Sequence, residues 1–119
     1  MHTDILIIGA GPAGIFTAME LLRQGCRKRI LLVEKGRAME ERRCPKAQTG
    51  RCVGCKPCHI TTGFSGAGAF SDGKLSLSTE VGGDLPQLIG DDAAQSLIQY
   101  TDSIYLEFGA DAHVEGIAE

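Results

Sequence analysis

The chain has 119 residues, of which 43% are apolar and 23% are charged, and its formal net charge is −3. This length favours a single domain, and the slight negative charge excludes the basic surface that nucleic-acid binding needs. The longest apolar stretch, residues 5–16, is too short to span a membrane, and no charged signal-peptide segment precedes it. We therefore expect a cytoplasmic protein with no nucleic-acid or membrane partner, and with cysteines that are reduced or metal-bound.

The first predicted elements are a strand at Ile5–Ile8 and a helix that runs from Pro12 to about Gln24. Proline is favourable at the first helical position, and Gly25 suits the position just after a helix end. A second apolar run, Ile30–Glu34, predicts another strand. This order indicates an α/β fold with a Rossmann-like βαβ unit over residues 1–36. The helix face expected to cover the sheet consists of Ile15, Ala18, Met19 and Leu22.

The turn between the first strand and the helix has the sequence GAGPAG, in which each glycine has a separate predicted role. Gly9 permits the tight turn, Gly11 lets the backbone approach a pyrophosphate, and Gly14 lets the helix pack closely on the strand. The first helical N–H groups and the helix dipole favour the phosphates. Glu34 lies 20 residues beyond Gly14, where a carboxylate can accept hydrogen bonds from ribose hydroxyls. The pattern predicts a dinucleotide site.

Beyond the second strand, the predicted segments are a charged stretch with a short helical turn, a cysteine-rich loop, a loop rich in glycine and serine, and a turn, at residues 35–43, 44–58, 63–78 and 81–86. A final helix is expected at residues 91–108, capped by Asp91 or Asp92 and stopped by Gly109. Its expected core stripe is Ala94, Leu97, Ile98, Thr101, Ile104, Tyr105 and Phe108.

The number of strands is small for this fold. A parallel dinucleotide-binding sheet needs more than two strands, and a further strand is indicated only at residues 113–118. We therefore interpret residues 1–119 as the N-terminal part of one dinucleotide-binding domain, with a fold that is incomplete at its C-terminus. Such a fragment alone is expected to be inactive and prone to self-association.

The cysteine-rich loop carries Cys44, Cys52, Cys55 and Cys58 in the pattern C-x7-C-x2-C-x2-C. Four thiolates at such spacing suit tetrahedral zinc or an iron–sulfur cluster, and the spacing leaves these two open. A redox-active thiol pair and an ordinary loop with reduced thiols are the other interpretations.

The second glycine-rich segment, GFSGAGAFSDGKL from Gly63 to Leu75, consists mostly of small residues. Its backbone N–H groups can converge on an anion, and its glycines can pack against a flat ring. A mobile surface loop is the simpler alternative. We favour a cofactor contact, because functional loops keep special backbone residues on a rigid scaffold.

Four motifs together, GAGPAG, LLVEKG, CxxCxxC and SGAGAFSDGKLSLST followed by VGG, resemble the family of uncharacterised FAD-dependent dehydrogenases. That family lies in the NAD(P)/FAD-dependent oxidoreductase superfamily with a glutathione-reductase-like FAD fold. The likeness extends to about Gly83 and is most particular in GAGAFSDGKL.

The resemblance implies non-covalently bound FAD. By position it implies a pyrophosphate contact, made by Gly9, Gly11, Pro12, Ala13 and Gly14. It places Glu34 on the ribose, with Lys35 and Gly36 beside the adenosine. It also implies a loop that runs along the pyrophosphate toward the isoalloxazine ring, formed by Gly66, Ala67, Gly68 and Ala69.

The function expected first is the N-terminal portion of an FAD-dependent oxidoreductase, a dehydrogenase, acting with a small-molecule substrate or electron acceptor. An NAD(P)-binding module is the second hypothesis, because Glu34 suits either ribose. A non-enzymatic, cysteine-ligated metal or electron-carrier module is the third. The sequence assigns no catalytic residue, substrate or oligomeric state.

Overall fold

The computed structural model describes residues 2–116. These residues form two compact units, one ending at Gly73 and the other beginning at Lys74. The expectation of one domain stays a prediction, and each unit is described separately below.

The first unit is built on a βαβ arrangement. Strand β1 (Ile5–Ile8) is followed by helix α1 (Pro12–Arg23) and strand β2 (Ile30–Val33). The two strands are parallel, and their register pairs Ile5 with Ile30 and Ile8 with Val33. This order confirms the predicted strand, helix and strand.

Helix α1 begins and ends where its sequence signals predict. Pro12 is the first helical residue, where its missing N–H removes no intrahelical hydrogen bond. At the other end, Gly25 has a φ of +77° and its N–H bonds to the Leu22 carbonyl at 3.0 Å. The Cys26 N–H bonds to the Leu21 carbonyl at 2.9 Å. This pair of bonds is a Schellman motif, which requires a residue that tolerates a left-handed backbone.

Helix α1 contacts both strands, so one face of the two-stranded sheet is covered. On β1, Ile5 and Ile7 are half-buried, whereas Leu6 is 53% exposed and Ile8 is 81% exposed. The helix face expected to cover the sheet is half-buried except for Leu22, which is 64% exposed in the last turn.

The chain after β2 is mostly irregular. A short 3₁₀ helix at Met39–Glu41 confirms the helical turn predicted in the charged stretch. A one-turn helix, α2 (Lys46–Thr49), lies inside the segment predicted as a cysteine-rich loop and was not expected. A second 3₁₀ helix, Ala67–Phe70, lies in the second glycine-rich segment.

The second unit contains helices α3 (Leu85–Ile89) and α4 (Asp91–Glu107), which pack on each other. Helix α4 confirms the predicted final helix, but its N-cap is Gly90, and the two aspartates expected to cap it lie in its first turn. Helix α3 begins within the segment predicted as a turn. Pro86 lies in its first turn, where proline is tolerated.

The predicted core stripe of α4 is only partly buried. Ala94 and Ile104 are buried, whereas Leu97 is 49% exposed and Phe108 is 71% exposed. Residues 113–116 form no strand, and residues 117 and 118 of the strand expected there lie outside the described residues. Within residues 2–116, no helix has both the length and the apolar character needed to cross a membrane.

Candidate dinucleotide site

The turn that joins β1 to α1, which we call the phosphate turn (Gly9–Gly14), is anchored on β2. The Gly9 N–H bonds to the Val33 carbonyl at 2.7 Å, which extends the parallel pairing by one residue beyond β1. Gly9 then turns with a φ of +99°, a conformation that side-chain-bearing residues rarely adopt. Ala10 follows and is fully buried. The sharp turn predicted at Gly9 is therefore present.

Gly14 and Gly11 differ in the space around them. A Cβ on Gly14 would collide with the Gly9 carbonyl oxygen and lie 3.3 Å from Ile7 Cγ2. The helix can therefore approach the strand only because Gly14 has no side chain. A Cβ on Gly11 would meet nothing within 4 Å. The space beside Gly11 is open, as a backbone that receives a ligand requires.

Among residues 2–116, no side chain caps the N-terminus of α1. Gly11 is the N-cap, with φ −78° and ψ −178°, and no side chain caps the helix or places an acid in its first turn. The backbone N–H groups of the first turn lack intrahelical acceptors, and the helix dipole adds partial positive charge. Pro12 and Ala13 are exposed. The arrangement suits a bound anion.

Glu34 links the end of β2 to the phosphate turn. Its Oε2 accepts the Ala10 N–H at 2.8 Å, and its Oε1 accepts the Gly36 N–H at 2.8 Å. These two bonds lower the pKa of Glu34, with smaller contributions from the charges of Lys35 and Arg42. Because each carboxylate oxygen has a second lone pair, Glu34 can still accept two further hydrogen bonds, such as those of ribose hydroxyls.

Lys35 and Gly36 follow directly. Lys35 is exposed. A Cβ on Gly36 would lie 2.5 Å from both the Cα and the N of Gly63, so the absence of a side chain lets these two segments touch. Gly36 therefore contacts the second glycine-rich segment, a role that its position in the sequence did not reveal.

The second glycine loop, defined here as Gly63–Phe70, lies directly against the phosphate turn. The Ser65 N–H bonds to the Ala10 carbonyl at 2.8 Å. A Cβ on Gly66 would lie 3.2 Å from Pro12 Cδ and 3.3 Å from Gly11 Cα. The structure thus brings together two glycine-rich segments that are separated by 48 residues in the chain.

The second half of this loop is helical rather than extended. Ala67, Gly68 and Ala69 lie in the 3₁₀ helix, and the Ser71 N–H bonds back to the Gly68 carbonyl at 3.2 Å. Ala67 and Gly68 are exposed, and Ala69 is half-buried. Their contact with a cofactor stays a prediction.

Arg42 is a buried residue beside this site that the sequence did not reveal. It is 3% exposed, and among the described residues it is the only charged side chain that is buried. Its guanidinium donates to four backbone carbonyls, those of His59 at 2.9 Å, Ile60 at 2.6 Å, Phe64 at 2.7 Å and Gly66 at 2.8 Å. It lies in a charged stretch that is typical of solvated surface, so no local pattern distinguishes it from Arg37 or Arg43.

The structure does not support the expected metal site at Cys44, Cys52, Cys55 and Cys58. Within residues 2–116, no three His, Cys, Asp or Glu side chains are placed to share one ion. Helix α2 and its left-handed cap Gly50 lie between Cys44 and Cys52, and the described residues do not bring Cys52, Cys55 and Cys58 together around one ion either. All four are free thiols, half-buried or exposed.

Cys58 differs from an ordinary thiol in its hydrogen bonds. Backbone and side-chain hydrogen bonds from Thr61, and a backbone bond from Ile60, lower the pKa of the Cys58 thiol. The positive charge of Arg42 lowers it further. This environment favours the thiolate, which is the reactive form of cysteine.

Comparisons with known proteins find a likeness that includes the βαβ unit. Residues 2–53 match a sequence family described as FAD binding domain. A stretch of 39 residues is 44% identical to 6-methylpretetramide 4-monooxygenase of Streptomyces rimosus, covering 33% of this chain and 9% of that enzyme. No solved structure matches the chain. These matches support FAD binding by the first part of the described chain.

Proposed function

We propose that the phosphate turn, Glu34 and the second glycine loop form the FAD site of an FAD-dependent oxidoreductase, and that this oxidoreductase is a dehydrogenase. The observation that carries the proposal is the contact of Gly66 with Gly11 and Pro12, beside a helix N-terminus that no side chain caps. Two backbone segments that meet at Gly11 and Gly66, together with an open positive helix end, suit the diphosphate of a dinucleotide.

In this proposal each part of the site has one task. The backbone N–H groups of Gly11, Ala13 and Gly14 bind the pyrophosphate, which Pro12 cannot do because it has no N–H. Glu34 uses its remaining lone pairs for the ribose hydroxyls, with Lys35 and Gly36 beside the adenosine. Residues 66–69 run along the pyrophosphate toward the isoalloxazine ring.

The bound flavin would supply hydride or electron transfer, and the residues of this chain would bind and orient it. The whole enzyme would act on a small-molecule substrate or electron acceptor. The similar enzyme from Streptomyces rimosus is named a monooxygenase. Because that likeness covers 39 residues, it bears on the cofactor more than on the substrate.

The first experiment titrates the purified chain separately with FAD, NAD and NADP by isothermal titration calorimetry, and then adds NAD or NADP as competitors while flavin fluorescence follows bound FAD. We expect FAD to bind and the nicotinamide dinucleotides to compete weakly. Binding of NAD or NADP in preference to FAD would favour the nucleotide-module alternative. Binding of none of the three would contradict the proposed site.

Gly11→Asp tests where the FAD binds. The backbone of Gly11 already has N-cap geometry, so an aspartate there caps α1 and stabilises the fold by about 0.5–1 kcal/mol. The same carboxylate fills the open space and repels phosphate, so FAD affinity falls about 100-fold. The free energy of unfolding is therefore expected to rise, whereas the affinity for FAD is expected to fall.

Gln24→Glu is the matched control for Gly11→Asp. It adds the same charge at the C-cap of the same helix, far from the phosphate turn along the helix axis. Its FAD affinity should stay within about twofold of the wild type, because an exposed charge at that distance is largely screened. Equal loss of FAD in both variants would refer the effect to net charge and contradict the assigned phosphate turn.

A further inference from the structure

We propose that Arg42 is the positioning residue of this site, and that its guanidinium holds the second glycine loop against the phosphate turn. The consequence for FAD rests on the proposed function. The consequence for the order of the loop does not, so the two can be measured separately.

The first argument is the place of the carbonyls that Arg42 bonds. A single nitrogen, Nη1, donates to the carbonyls of Phe64 and Gly66, which flank Ser65 on both sides. Ser65 has a φ of +73°. Within residues 2–116 it is the only residue other than glycine that has a left-handed backbone. A serine adopts that conformation only where its surroundings impose it. Arg42 supplies this constraint.

The second argument is how closely Arg42 is enclosed. A Cβ on Gly63 would lie 2.7 Å from Arg42 Cδ and 2.8 Å from its Nε, so the arginine stem lies directly on the loop backbone. At the other end, the guanidinium carbon lies 4.7 Å from the centre of the Phe70 ring. The side chain thus contacts both ends of the second glycine loop.

The third argument is the route from Arg42 to the phosphate turn. The residue between its two bonded carbonyls is Ser65, whose N–H bonds to the Ala10 carbonyl at 2.8 Å. The next residue, Gly66, packs on Gly11 and Pro12. The two residues that contact the phosphate turn, Ser65 and Gly66, therefore lie at or directly beside the carbonyls that Arg42 bonds.

The charge of Arg42 adds to this effect. Its described hydrogen-bond acceptors are neutral backbone carbonyls and the Met39 sulfur. The buried positive charge is felt at Glu34, whose pKa it helps to lower. An anion bound at the phosphate turn would be favoured by the same field.

The experiment compares Arg42→Lys and Arg42→Met with Arg43→Met, in which the neighbouring exposed arginine is changed. Amide hydrogen exchange of Ser65 reports the loop, and exchange of the β1–β2 amides reports the fold. We expect Ser65 exchange to rise about 10-fold in both Arg42 variants, with the strand amides and Arg43→Met unchanged. FAD titration of the same proteins reports the consequence for the cofactor.

The lysine variant separates geometry from charge. It keeps the positive charge but offers one compact donor group instead of a planar fork. FAD affinity should therefore fall about 10-fold in Arg42→Met and less in Arg42→Lys, and the perturbed visible spectrum of bound flavin should weaken in the same order. If Arg42→Met does not fold, the comparison of Arg42→Lys with the wild type tests the inference.

Three results would overturn the inference. One is wild-type exchange of Ser65 in Arg42→Lys. Another is loss of protection throughout β1 and β2 in that variant, which would make Arg42 a residue of general stability. The third is unchanged FAD affinity in variants with a loosened loop. Failure of the wild type to bind FAD would instead contradict the proposed function and leave the exchange measurement to judge Arg42.

Discussion

Glu34 holds the main chain at Ala10, because its Oε2 accepts the Ala10 N–H at 2.8 Å. The residue expected to recognise a ribose is therefore also part of the framework that shapes the phosphate turn. Its other oxygen accepts the Gly36 N–H, which orders the chain just after β2. Substitution of Glu34 should for this reason affect both the fold and the ligand.

Glu34→Gln tests the framework role through its pH dependence. The lowered pKa of Glu34 means that protonation weakens the folded state, so its stabilising contribution is full above the ordinary glutamate pKa and disappears as pH falls through the folded value. We expect the variant to unfold at a lower temperature than the wild type at pH 7. The two unfolding temperatures should converge as pH falls below about 4.

The measurement is thermal unfolding by circular dichroism between neutral and acid pH. Asp4→Asn is a useful comparison, because hydrogen bonds from Arg29 lower the pKa of Asp4 and its contribution disappears in the same direction. A constant difference between wild type and Glu34→Gln at every pH would show that the carboxylate charge is not the stabilising feature.

Gly14→Ala should destabilise the fold, because the new Cβ collides with the Gly9 carbonyl and α1 must move away from β1. The free energy of unfolding should fall by about 1–3 kcal/mol, as is usual for overpacking. Gly11→Ala is the matched control, since its Cβ meets nothing within 4 Å, and its loss should not exceed about 1 kcal/mol. Urea denaturation of both variants measures the difference, and equal losses would contradict the packing role of Gly14.

Cys58 should react with iodoacetamide at a lower pH than a free cysteine, because Thr61 and Ile60 stabilise its thiolate. Peptide mass spectrometry of the alkylated protein, over a range of pH, gives the rate at this residue. Thr61→Val removes the side-chain hydrogen bond and should move the profile toward higher pH, while Thr62→Val serves as the control. A profile in Thr61→Val that coincides with the wild type would refute this origin of the reactivity.

The uncovered sheet face should make the protein self-associate, because Leu6 and Ile8 are 53% and 81% exposed on it. Ile8→Thr keeps a β-branched side chain and removes apolar area, so the dissociation constant of self-association should rise about 10-fold. Sedimentation velocity over a range of concentrations measures it. Leu88→Thr, at an 80% exposed position in α3, should change it little. A wild type that stays monomeric throughout would contradict the prediction.

The βαβ unit could be predicted from the sequence because each of its signals is local. The apolar runs, Pro12 and Gly25 each limit the backbone within a few residues, and the strand and helix bounds follow closely. The short helix α3 was not predicted, because the local signals at Gly82, Gly83 and Pro86 are equally typical of a turn.

What could not be predicted depends on contacts between distant segments. The burial of Arg42 is determined by carbonyls at residues 59–66, and nothing near Arg42 in the chain indicates them. The spacing of the cysteines suggested a shared ion, but spacing does not specify whether the sulfurs face one another. The role of Gly36 likewise became clear only from its contact with Gly63.

The bond between Ser65 and Ala10 joins two loops through neutral main-chain atoms. This hydrogen bond involves no net charge, so added salt should leave it intact. The same salt should weaken any attraction between this surface and an anion. The bond itself does not use the side chain at position 65, which has to tolerate the left-handed backbone. Asparagine or glycine, which adopt that conformation more readily than serine, should serve there equally well.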